Sequence, residues 1–548
     1  MADRKFSGNL VRHLEKNATE IPSDIAIIST GGSPFKKTFN QLHEDVILCS
    51  IFFKKKGVQR NDRVLLMVKP GYELIICCFA LLFIGAIPII IDPGMGLKSL
   101  LKCIKRSKPQ TLIASDIGIW ISTLFRTTFS SLRLKIRITK NLLGEAKRKF
   151  IINPTQMHYS QDKDLAAIVF TSGSTGSPKG VRYLHRNFNA QIQTLEREFG
   201  IQKGEVDMVT LPIFSLFNPA LGVTSVIPEM NPRKPAKANA EKLVQTILDH
   251  QVTSAFCSPV IGKKISDYCQ KHGVRLKSVQ RIMLAGAPVT PKVVHRLASY
   301  LPSGKIFIPY GATEALPVSY SNHNQISRLS QSIINGEGSC LGKPINDISI
   351  QLMPVKKSPI PNQDEDEIIP VTKKFETGEI CVSGICVTDG YDQMPGATRD
   401  ARFKFNSKTY HRMGDLGYWD DEGNLRFLGR KAECVQTKFG PLETEKCEPI
   451  INNLSGVHRC ALIGIGTERI QEPCLVVEVS NVKSNITNLS KQIYSIIEEN
   501  FVQFGMRRLF FQRRLPVDAR HNAKIHRLAL SQKWSKKVIK DQTIGIKK

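Results

Sequence analysis

Metal-ligand spacing is missing from this chain: its thirteen cysteines form no CxxC pair and no Cys/His ligand pattern, which excludes a zinc ribbon or finger. Several sit in apolar runs (Cys77, Cys78, Cys257, Cys381, Cys386), where they are expected to act as small core hydrophobes in a reducing cytosol. Residues 1–9 are polar and no apolar core of a signal peptide follows them, which fits a cytoplasmic location. Acidic residues are scarce as well, 48 Asp plus Glu against 77 Lys plus Arg, for a formal charge of +29. Such a surplus attracts phosphates, anionic lipid surfaces or nucleic acid. There is no helix-turn-helix pattern and no interleaving of aromatics with basic residues, so no nucleic-acid partner is expected. The basic residues are spread along the chain, with short clusters at 54–56, 147–149 and 507–514, as solvated surface charge would be. A peripheral contact with an anionic membrane is the other reading that the charge leaves open.

What is present is a long chain of ordinary globular composition, 548 residues with 41% hydrophobic and 23% charged. That length exceeds what one core organises and predicts two or more domains with a cleft between them. Residues 74–91 are apolar throughout and reach the length of a spanning helix. Gly85 and Pro88 divide the run into a helix over 72–84 and a β-branched strand over 87–91, so a buried helix-turn-strand unit is expected instead.

Helical stretches (10–17, 40–55) alternate with short apolar strands at 25–28, 63–68, 111–114, 166–170, 208–211, 255–258, 281–285 and 305–309. This is an α/β pattern with helix-covered parallel sheets. From about residue 341, strands at 348–352, 378–382 and 424–428 separated by glycine and acidic turns predict a small β-rich subdomain, with 355–374 as an exposed loop. Strands at 460–465 and 474–479 mix again with helices. The predicted division is 1–429 and 430–548, the second a small α+β domain.

The sharpest local feature follows the strand at 166–170: Thr171, Ser172, Gly173, Ser174, Thr175, Gly176, Ser177, Pro178, Lys179 and Gly180. Glycines let backbone N–H groups face an anion, hydroxyls add donors and the lysine adds charge, the makings of a phosphate cradle. Pro178 and Gly180 stand where the P-loop of other NTPases has Gly before Lys and Ser or Thr after it.

This loop resembles the signature of the acyl-adenylate-forming superfamily, and further motifs of that family follow in order. They are Ala285-Gly286-Ala287-Pro288, Tyr310-Gly311-Ala312-Thr313-Glu314, Gly378-Glu379-Ile380, the segment from Tyr410 to Gly417, Gly429-Arg430-Lys431 and Asn522-Ala523-Lys524-Ile525-His526-Arg527. The resemblance implies ATP and Mg²⁺ as cofactors and a small-molecule acid as substrate. It implies catalytic roles for Thr175, Lys179, Glu314 and Lys524. The loop Thr171 to Gly176 with Lys179 would hold phosphates, while Gly286, Ala287, Pro288, Tyr310, Gly311, Ala312 and Thr313 would line the nucleotide. Glu314 would hold the metal, Asp415 the ribose hydroxyls, with Arg430 beside them, and Lys524 would bridge carboxylate and α-phosphate. Lys431 and Ala432 fall at the hinge of the mobile C-terminal domain, and Ala432 replaces a common acidic residue there.

Within the superfamily, 91–96, 211–222 and 311–318 resemble the β-lactone synthetases of bacterial olefin biosynthesis. That likeness implies a β-hydroxy fatty acid, adenylated and then closed by its own hydroxyl, with CoA not needed. Phe214, Ser215, Phe217 and Gly222 are the candidate acyl pocket, ordinary core packing being the plain alternative. A fatty acyl-CoA or other acyl-thioester ligase, and a non-catalytic anion- or membrane-binding scaffold, are the competing functions.

Overall fold

The apolar run at 74–91 folds as the helix Tyr72–Phe83 and the strand Ile87–Ile91. Gly85 turns the chain at φ +75, and any side chain there would strike the ring of His158. Among the described residues, no helix is long and apolar enough to cross a membrane. The structure is a computed structural model that describes residues 8–139, 142–144, 157–171, 178–211, 214–355, 369–467, 470–479, 486–518 and 524–545. Most of the loop expected at 355–374 lies outside them.

Two sheets organise residues 8–430. In the first, Leu134–Arg137, Thr111–Ala114, Arg63–Met67, Ile87–Ile91 and Leu165–Thr171 lie side by side and parallel, and Lys179–Leu184 closes one edge antiparallel to its neighbour. Strands buried on both faces read as unbroken apolar runs, which is why Ile87–Ile91 has no polar alternation. In the second, Lys305–Ala312, Arg281–Leu284, Ser254–Cys257, Val206–Val209, Thr224–Ile227 and Ile25–Ser29 are parallel neighbours. The strands expected to form a small β-rich subdomain are present, and they continue this sheet without a break. The ladder runs through Ala315–Asn322 and Ser339–Pro344 to Leu425–Arg430, Lys408–Trp419, Gly378–Gly384 and Ile348–Met353.

Beyond a short turn at Lys431–Glu433, Val457–Gly466, Gln471–Val479 and Arg508–Gln512 form a three-stranded sheet with its own apolar clusters. The helices Thr444–Asn452, Ile486–Asn500 and Arg527–Gly545 accompany it. All thirteen cysteines are buried free thiols. Wherever a shift is resolved their pKa is raised, at Cys77 by its hydrogen bond with Cys49 and then burial, elsewhere chiefly by burial, to about 12 at Cys257, so they pack as hydrophobes rather than react.

Candidate functional site

In open parallel sheets the strand C-termini end in a crevice where ligands bind. The strand Arg281–Leu284 ends at Ala285, and Gly286, at φ +91, turns the chain outward so that Gly286 and Pro288 are exposed and Ala287 half-buried. Beside it, Lys305–Ala312 and Ala315–Asn322 form a tight hairpin in which Ala312 faces Ala315, leaving Thr313 and Glu314 at the tip. Gly311 is required by that turn: a Cβ there would lie 2.5 Å from the Ala315 carbonyl oxygen.

Tyr310 donates its phenolic hydrogen to Asp415 Oδ2 at 2.6 Å. Asp415 is 2% exposed and sits opposite Arg430 on the adjacent strand. Arg430 Nε lies 3.1 Å from Asp415 Oδ1, close enough to pair charges but not aligned for a hydrogen bond, so Oδ1 is a buried acceptor without a donor. Burial pushes the Asp415 carboxyl above its ordinary range, while Arg430 and Tyr310 pull it back. An acceptor-only group with one open oxygen suits the hydroxyls of a ribose.

Lys524 reaches the same place from the far end of the chain. Its backbone N–H donates to Asp518 Oδ1 at 3.0 Å, its carbonyl accepts from the Asp518 N–H at 3.0 Å, and Val517 bridges Ile525. Burial and the neighbouring Arg430 depress the Lys524 ammonium, opposed by Glu433, Asp518 and Asp415. Two cations held around one buried carboxylate make a cluster that an anion would relieve.

A second cluster surrounds the hairpin tip. Tyr391 donates its hydroxyl to Glu314 Oε1 at 2.8 Å, and the Lys179 ammonium lies 4.5 Å from the centre of the Tyr391 ring. Backbone bonds hold this tyrosine in place, Asp392 N–H to the Gly180 carbonyl at 2.7 Å and Arg182 N–H to the Gly390 carbonyl at 3.0 Å. The sequence reading passed over Tyr391. Its only local signal was its place in Gly390-Tyr391-Asp392, which says nothing about reaching both Lys179 and Glu314. His411, buried behind them, is held neutral with its pKa lowered to about 4, chiefly by desolvation.

The remaining candidates scatter. Thr171 ends its strand opposite Lys179, whereas Ser172, Gly173, Ser174, Thr175 and Gly176 lie outside the described residues. Phe214 stacks on Phe256 with ring centres 3.7 Å apart, and Phe217 faces Phe188. Ser215 is buried and lines a cavity of about 50 Å³ with Val209, Ile227 and Met230, too small for a long alkyl chain. Gly222, at φ +70, caps the short helix Asn218–Leu221, and a Cβ there would meet Lys203 and Asn17. Lys431 pairs with the buried Glu379 at 2.8 Å, and Ala432 is exposed in the turn beside it.

A buried acceptor with cations from distant segments beside it suits an adenylate-forming, acid-activating enzyme, the class to which likeness to known proteins assigns this chain. The chain belongs to the AMP-binding enzymes, whose family model matches residues 14–392. It is 35% identical over 544 residues to an olefin beta-lactone synthetase of Stenotrophomonas maltophilia (95% of this chain, 97% of that protein). It is likewise 35% identical over 549 residues to an olefin beta-lactone synthetase of Xanthomonas campestris pv. campestris, with the same coverage. Among solved structures, the O-succinylbenzoate coenzyme A synthetase of Bacillus subtilis in complex with AMP superposes with a TM-score of 0.75. It is 18% identical and covers 94% of this chain and 97% of its own.

Proposed function

We propose that this enzyme converts a β-hydroxy fatty acid and ATP into an acyl adenylate and pyrophosphate, and then closes the adenylate to a β-lactone. The observation that carries the first step is the open Oδ1 of buried Asp415, flanked by Tyr310, Arg430 and Lys524. The likeness to two β-lactone synthetases over almost the whole chain supports the second.

In this mechanism, Asp415 accepts the ribose hydroxyls and fixes the nucleoside. Lys179, with the loop from Thr171 to Gly176, holds the β- and γ-phosphates that leave. The acid's carboxylate oxygen attacks the α-phosphorus, and two anions must meet, so Lys524 neutralises the charge that develops. Among the described residues there is no group of three or more His, Cys, Asp or Glu that could hold a metal. A Mg²⁺ ion held by phosphate oxygens, waters and the single carboxylate of Glu314 fits that donor set. When bound, it would offset phosphate charge, and Tyr391, which donates to Glu314 Oε1, would hold that carboxylate in place. Holding acid and phosphorus in line can supply up to about 7–11 kcal/mol.

In the second step, the β-hydroxyl oxygen bonds to the acyl carbon, its proton is lost to solvent or base, and AMP departs with the C–O bond electrons. The nucleophile is already tethered, so proximity and the reactive mixed anhydride oppose ring strain. Residues 430–548 are the proposed mobile unit, with Lys431 and Ala432 at its hinge, delivering and withdrawing Lys524.

Mass spectrometry of products from a racemic long-chain β-hydroxy acid, ATP and Mg²⁺, with and without CoA, tests the proposal. A lactone formed without CoA is the expected result, and a thioester formed only with CoA would replace the second step with acyl transfer. Asp415→Ala is expected to raise the KM for ATP by about tenfold or more, since it removes hydrogen bonds made by a charged acceptor. Unchanged ATP dependence would remove Asp415 from the ribose site.

A further inference from the structure

The helix Asp116–Leu124 turns apolar side chains away from the protein. Its inner face lies close against the sheet: Gly118 and Ser122 are buried, and a Cβ on Gly118 would come within 2.6 Å of the Ala114 Cβ. Its outer face carries Ile117, Trp120 and Leu124, which are 67%, 65% and 58% exposed. At spacings of three and four residues they form one stripe. Single exposed leucines are ordinary, but a contiguous stripe containing tryptophan marks a contact surface.

The neighbouring helix Leu97–Ser107 covers the same face of the six-stranded sheet, since Ile119, Ile121 and Phe125 share one apolar cluster with Cys103 and Ile104. It begins at Leu97, 49% exposed, and presents Lys98, Lys102 and Lys105 along one exposed line. Between residues 93 and 139 there are nine Lys and Arg and a single acid, Asp116, which is itself paired with Arg137.

We propose that this face docks on an anionic lipid membrane, with Ile117, Trp120 and Leu124 seated at the headgroup boundary and the lysines of the adjacent helix over the phosphates. Charge selects this occupant. A second copy placed across the stripe would bring basic face against basic face, which is repulsive. An anionic bilayer offers opposite charge above a continuous apolar layer, and an interfacial tryptophan suits that boundary. The contact is peripheral, in keeping with the absence of a spanning helix among the described residues.

The inference stands apart from the catalytic reading, so its test uses the full-length enzyme without nucleotide or acid. Co-sedimentation with phosphatidylcholine vesicles, and with vesicles also containing phosphatidylglycerol, is measured at low and high salt. Binding to the anionic vesicles alone, weakened by salt, is expected, with a blue shift of tryptophan emission. The paired change Trp120→Ser and Leu124→Ser should weaken binding about tenfold. Replacing Lys98, Lys102 and Lys105 with Gln should cost roughly fivefold for each lysine. Unchanged circular dichroism and melting of both variants would show that the fold survives. Equal affinity of wild type and variants, or equal binding to neutral vesicles, overturns the proposal. So does self-association or protein capture that the apolar variant abolishes while no vesicle binds, since the face would then be a protein interface.

Discussion

Lys524→Ala is expected to lower acid-dependent pyrophosphate release by about two to three orders of magnitude, the loss typical when one preorganised charge is removed from a developing anion. The structure brings this lysine to the Asp415 and Arg430 cluster from a turn more than ninety residues downstream of Arg430. It is partly buried there, and burial already depresses its ammonium, so an anion between Lys524 and Arg430 would offset that depression. The defect should fall on the first half-reaction: closure of a β-hydroxyacyl adenylate supplied ready-made should keep most of its rate, since no phosphorus reacts in that step. Pyrophosphate release close to wild type would place the charge elsewhere.

Arg527→Ala is expected to reduce stability by about 3–5 kcal/mol, because it strands two carboxylates inside the protein. Arg527 opens the helix Arg527–Gly545 and grips Glu448 with two parallel bonds, Nε to Oε1 at 2.7 Å and Nη2 to Oε2 at 2.6 Å. Its remaining Nη1 donates to Glu433 at 2.7 Å, next to the turn that carries Lys431 and Ala432. Burial works against the guanidinium's charge, but Glu448 and Glu433 outweigh it and hold its pKa above the ordinary range. One side chain therefore clamps the start of its own helix, three residues after Lys524, to the turn Lys431–Glu433. Arg527→Lys should recover only part of the loss, since an ammonium cannot make the parallel pair. Thermal unfolding of the three proteins checks this, and a melting transition unmoved by Arg527→Ala would count against the clamp.

How much was legible depended on whether the signal was local. The helix expected over 72–84 ends one residue earlier, and the strand expected over 87–91 is found as Ile87–Ile91, because glycine, proline and β-branched runs act on their own neighbours. The strand expected over 305–309 instead runs to Ala312. Its extension is held by Ala315–Asn322, which the pattern of Pro317 and alternating small residues did not announce as a strand. The small β-rich subdomain was legible in its short strands and glycine turns, but its joining to the large sheet was not, since edge pairing through Ser339–Pro344 leaves no local mark. At Gly222 the structure shows why a glycine is needed, a left-handed helix cap that its apolar neighbours did not signal.

By itself the sequence determined the order of the nucleotide motifs, the alternation of strands with helices and the excess of basic charge. Each of these is written in short stretches of chain, where backbone preference and side-chain type act directly. Tertiary structure alone decided that Tyr310, Arg430 and Lys524 gather around the buried Asp415 carboxylate, and that Tyr391 joins Glu314 to Lys179. Those contacts depend on which strands become neighbours across hundreds of residues, and packing of whole sheets sets that pairing.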